Sequence, residues 1–156
     1  MIRPDISGRD DIEGLLRFFY GRVLVDDELA EPFREVRAKG LDAHLPVMCD
    51  FWETVLFRAK SYGGSALQVH QGVHDRHRLS TAHFLRWLTL WTAAVDATFE
   101  GPIADRAKVQ AARIAWAMHR RIVGADAAEL DGLLRAQHTT ASRYLPYGAE
   151  APQTPS

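Results

Sequence analysis

The chain has a single cysteine, Cys49, so no internal disulfide can brace it, and a lone thiol fits a reducing compartment. Excess charge of either sign is also missing: the net charge is −1 with histidines neutral. Without a basic field the chain attracts neither nucleic acid nor an anionic membrane surface, and neither is expected as a partner. No uninterrupted apolar run approaches the roughly 18–20 residues of a membrane span. The opening MIRPDISGRDD lacks the apolar centre of a signal peptide, so the expected location is cytoplasmic. There is no CxxC pair, Gly-rich phosphate loop, nucleophile elbow, internal repeat or low-complexity block, and no alternation that would mark a strand.

What is there reads as helix. The 156 residues are 47% hydrophobic and 25% charged, enough for one domain with a substantial core. Ser7, as N-cap, precedes Asp10 and Asp11 and then the stripe Ile12, Leu15, Leu16, Phe19, Val23, the spacing of one buried helix face. Glu28 to Phe33 predicts a short second turn of helix, and Gly40 breaks the chain further on. Asp42 is expected to cap a helix carrying Leu45, Met48, Trp52, Val55, Leu56 and Ala59. Pro46 is tolerable there only in the first turn, which puts His44 at the mouth of that helix.

The segment 61–66, SYGGSA, reads as a loop, followed by one or two turns from Ala66 to Gln71 that Gly72 ends. Ser80 predicts the cap of a helix with Phe84, Trp87, Leu88, Trp91 and Val95. Gly101-Pro102 punctuates, and a further helix runs from Ile103 to Ile122, closed by Gly124. Leu130, Leu133 and Leu134 suggest a short last helix. The polar, proline-containing stretch 137–156 reads as a loosely ordered tail after a domain spanning 1–136. The fold class is all-α.

Most of the aromatic residues need no role beyond the core, since Trp or Phe at helical spacing is usually packing. His70, His74 and His77 need separate weighing. In a helix the i, i+4 pair would share a face, which is ligand spacing for a metal such as zinc. However, Gly72 interrupts them and no HExxH pattern is present. A metal site on these histidines is one reading; a helical interaction or sensor module is another.

Taken in order, FFY (18–20), DDELAEPF (26–33), HLPVMCDFWETVL (44–56), a glycine loop with His70 after it, and HFLRWLTLW (83–91) form a pattern. It resembles the truncated globins, and most closely their third group, over roughly residues 10–122. The resemblance implies a globin-like two-over-two helical sandwich around haem b. It implies His70 as the proximal ligand of the haem iron, and a distal side formed by Tyr20, Trp87 and His44. Phe33, Met48, Phe51 and Trp52 would line the haem, and Arg76 or Arg78 would pair with its propionates. The implied ligands are oxygen, nitric oxide and carbon monoxide. Nitric oxide dioxygenation or peroxidase-like cleavage would be the oxidoreductase chemistry, supported by an electron-donating reductase.

Overall fold

The computed structural model describes residues 2–59 and 62–124, together with 128, 130, 132, 135 and 136. Among them six helices form and no strand: α1 (Arg9–Val23), α2 (Arg34–Lys39), α3 (Leu41–Phe57), α4 (Ala66–His77), α5 (Thr81–Thr98) and α6 (Pro102–Ile122). None of these helices is long and apolar enough to cross a membrane. The all-α expectation holds. Leu130 is helical and buried, whereas Leu133, Leu134 and the tail 137–156 lie outside the described residues.

Helix α1 buries the expected stripe and adds Tyr20 to it. It packs against α3 and α5, and α6 packs against α3, α4 and α5. The face α6 offers is built of alanines (Ala104, Ala107, Ala111, Ala112, Ala115). Small side chains there let the large Trp91 of α5 come close enough for its indole N–H to donate to the Ala107 carbonyl at 3.1 Å.

Several helix ends differ from the sequence expectation, each for a physical reason. Ser7 is not the N-cap of α1; Gly8 is, and the Ser7 N–H and hydroxyl both donate to the Asp11 carboxylate at 2.8 Å. Glu28 to Phe33 forms turns rather than helix, tied by the Asp26 carboxylate, which accepts from the Glu28 and Leu29 N–H groups and from Arg86 of α5. Asp42 does not cap α3, which already begins at Leu41. Its carboxylate accepts from Arg17 instead, at 2.9 Å, joining α1 to α3. Pro46 lies past the first turn of α3 and withholds a backbone donor from the Asp42 carbonyl.

Gly72 does not end α4. The helix starts at a Ser65 cap, whose hydroxyl accepts from the Gln68 N–H at 3.2 Å, and runs on to His77. A glycine inside a helix costs about 1 kcal/mol relative to alanine, which weakens a helix without stopping it. A Cβ placed on Gly72 would lie 3.3 Å from the Arg76 guanidinium, a contact that this long side chain relieves with a small shift. Ser80 does cap α5, with its hydroxyl accepting from the His83 N–H while the His83 ring accepts from the Ser80 N–H.

The start of α6 is held from a distance. Asp5 accepts from the backbone N–H groups of Ile103 and Ala104 at 3.0 and 2.8 Å, satisfying two donors that the helix itself leaves open. Gly101 makes this possible. Its φ is +138°, and a Cβ there would lie 2.6 Å from the Asp5 carboxyl carbon. Gly101→Ala should therefore strain the backbone and displace the cap together, at a cost of about 2–4 kcal/mol. The check is a lower denaturant midpoint at unchanged slope; an unshifted midpoint would mean that Asp5 does not cap α6 in solution.

Candidate functional site

The helices leave a cavity of about 290 Å³ bounded by α3, α4, α5 and α6, with Tyr20 of α1 and the α2 segment closing one end. The eight residues that the resemblance assigns to the iron, the distal side and the ring all line it: Tyr20, Phe33, His44, Met48, Phe51, Trp52, His70 and Trp87. The walls are otherwise mostly aliphatic and aromatic, with Glu35, Lys39, Arg76 and His83 as the further polar residues.

On the α4 wall, the Nδ1 of His70 lies 2.7 Å from the Ala66 carbonyl oxygen. A carbonyl only accepts, so Nδ1 carries the proton and Nε2 keeps its lone pair. No described residue hydrogen-bonds that Nε2. The neighbouring histidines are turned elsewhere. His74 Nδ1 accepts from the Leu79 N–H at 2.9 Å, past the end of α4. His77 faces Glu31 and Glu35 at 3.5 and 3.7 Å. Among the described residues no three His, Cys, Asp or Glu side chains gather as a metal site would need, so the three histidines do not form the alternative non-haem centre.

Tyr20 is held by edge-on contacts with Phe19 and Phe33, at centroid distances of 5.0 and 5.8 Å. Its hydroxyl has no hydrogen-bond partner among the described residues. Burial pushes the phenol well above its ordinary range, so it stays an O–H donor throughout the physiological range. Trp87 meets the edge of the same Phe19 at 5.9 Å, and its indole N–H is likewise without a described partner. An indole N–H only donates. His44, in the first turn of α3, has a fully buried Nε2 that no described residue satisfies. A buried polar atom left this way costs about 1–3 kcal/mol, which a bound ligand or water would recover.

The arginine expectation needs correcting. Arg78 does not line the cavity; it terminates α4 in a left-handed conformation with φ 39°. Arg76 does line it, but its guanidinium is engaged in a two-point pair with Glu35 at 2.5 and 3.0 Å. That pair holds the Glu35 carboxyl below its usual range. Lys39 is the other cation at the cavity.

Sequence reasoning missed Tyr62, Val69, Val73, Ile114 and Met118, all of which line the cavity. The α4 and α6 pairs carry a signal in retrospect: Val69 and Val73 flank His70 at helical spacing, and Ile114 and Met118 are one turn apart. Tyr62 lies in the loop, where no periodicity speaks. It meets Phe51 edge-on at 5.3 Å. Comparison of the chain with protein-family models, with curated proteins and with solved structures finds no match to any of them.

Proposed function

We propose that the protein is a haem protein of the truncated-globin type, binding oxygen and other small diatomic ligands in this cavity. The observation that carries the reading is a pairing. One apolar cavity holds an imidazole nitrogen with a free lone pair, and with it a phenol O–H and an indole N–H that have no described partners. That donor set suits an iron porphyrin: haem b would be held by His70, with Tyr20, Trp87 and His44 on the ligand side and Phe33, Met48, Phe51 and Trp52 around the ring. The helices would then form the two-over-two sandwich.

When bound, the haem supplies an iron that takes oxygen, nitric oxide or carbon monoxide. The protein's part is to orient and to exclude. The Ala66 carbonyl holds the His70 Nδ1–H, which fixes the ring and makes Nε2 a better donor to metal. Tyr20 and Trp87 offer hydrogen bonds to a ligand that gains negative charge, and in a dry pocket these are worth more than in water. Donors of that kind retain oxygen rather than deliver it, which favours nitric oxide dioxygenation or peroxidase-like turnover over transport. The buried Cys49 thiol and the missing disulfide suit the cytoplasm.

The deciding experiment is an absorption spectrum of the purified protein. An intense Soret band that shifts under carbon monoxide is expected. A colourless protein that takes up no added haemin would end the reading and leave a haem-free helical module in its place.

A further inference from the structure

The tryptophans at the cavity form a stack that its walls alone do not account for. Trp91 lies close to parallel with Trp52, centroids 4.3 Å apart and planes 15° off, and with Trp87 at 6.1 Å and 4°. Trp52 and Trp87 line the cavity, while Trp91 is 1% exposed and joins them from behind. Among the rings present, indole is the one that most easily gives up an electron without also giving up a proton. A positive charge left on one indole is attracted to the face of the next, so a stack shares it. The Trp91 N–H donates to the Ala107 carbonyl, an oxygen that accepts a hydrogen bond but not a proton. Tyr20 is a poorer electron donor here, because a phenol must shed its proton on oxidation and no described residue is placed to take it.

The cavity mouth has its own chemistry. Val47 and Val69 line the cavity while remaining 56% and 59% exposed, and Tyr62, edge-on to Phe51, lines it as well. This is an apolar, aromatic rim open to solvent, suited to a flat aromatic molecule.

We propose that the Trp87–Trp91–Trp52 stack is a redox-active site. It gives one electron to an oxidant formed in the cavity from hydrogen peroxide and regains it from a phenolic reductant at the cavity mouth; this rests on the haem reading above. The stack loses an electron and no proton, no bond in it forms or breaks, and it is left as a shared radical cation. The phenol returns the electron, releases its proton to water and leaves as a phenoxyl radical. Over a full turn hydrogen peroxide takes two electrons and two protons to become two waters, and two phenols supply them.

The test mixes the haem-loaded protein with hydrogen peroxide, freezes it rapidly and records the electron paramagnetic resonance spectrum. A radical signal is expected that narrows when the tryptophans carry deuterated indole and is unmoved by ring-deuterated tyrosine. Trp91→Phe is expected to lose that signal and the phenol turnover while keeping the Soret band. If the variant does not fold, labelled protein carrying Trp116→Phe decides, because its label then lies only in the stack. A signal indifferent to the indole label, or one that narrows with labelled tyrosine, overturns the proposal. So does the lack of any radical in protein that shows its Soret band and consumes peroxide. Protein without a Soret band sinks the haem reading instead. The stack is then read in the cofactor-free chain with photogenerated ruthenium(III) tris(bipyridine): the same indole-dependent signal supports the site, and its absence removes it.

Discussion

His70→Ala protein is expected to lose haem on the order of 100-fold faster than the wild type, measured as transfer to an excess of apomyoglobin. The substitution removes the one nitrogen whose lone pair is left free on the α4 wall. It leaves the helix otherwise intact, because alanine is the better helix former and the Ser65 cap is untouched. His74→Ala and His77→Ala are the controls. His74 gives up only its bond to the Leu79 N–H, worth about 1 kcal/mol of stability, and His77 only its contacts with Glu31 and Glu35. Both should retain haem at the wild-type rate. Rapid loss from His74→Ala, with His70→Ala unaffected, would transfer the ligand assignment to His74.

Tyr20→Phe tests the opposite side of the pocket. The ring contacts with Phe19 and Phe33 are preserved, and the hydroxyl has no described partner to abandon, so the cofactor-free protein should be as stable as before. What disappears is one hydrogen bond to a strongly polarised ligand, worth about 1.5–3 kcal/mol. Since about 1.4 kcal/mol is a factor of ten, oxygen should dissociate about 10- to 100-fold faster. Carbon monoxide draws little charge and should respond far less. Trp87→Phe should act in the same direction, and the double variant need not show the product of the two effects, because both donors serve one acceptor. Stopped-flow release of both gases decides it. Equal acceleration of oxygen and carbon monoxide in Tyr20→Phe would make the residue a packing element.

The long stripes were legible because they depend only on local periodicity: Ile12 to Val23 in α1 and Phe84, Leu88, Trp91 and Val95 in α5 are buried where the spacing put them. Helix ends were harder, because their partners come from elsewhere. The cap of α6 is Asp5, almost a hundred residues upstream, and the turns at 28–33 are fixed by an aspartate that also binds Arg86. Gly72 misled for another reason: a single glycine weakens a helix without ending it, and α4 carries on to Arg76, whose partner Glu35 lies in a different helix. At the site, the ordered pattern gathered residues that do share one cavity. It passed over Tyr62, whose loop has no period, and it offered Arg76 or Arg78 without choosing, of which Arg76 lines the cavity in a pair with Glu35.

Helix α4 has no buried residue, although Ala66, Val69, His70 and Val73 all face the cavity. Its attachment rests on the Ser65 cap, the Arg76–Glu35 pair and its packing on α6. The other long helices are secured by their own interiors; this one depends on what it encloses. A group gripped by His70 and pressed against the far wall would supply the apolar contact that α4 lacks, so affinity for that group and the folding of this helix draw on one shared free energy. Removing the Ser65 hydroxyl that caps α4, or the Glu35 carboxylate of α2 that pairs with it, would then loosen the pocket's hold on such a group, and α4 would be the first part of the emptied protein to open.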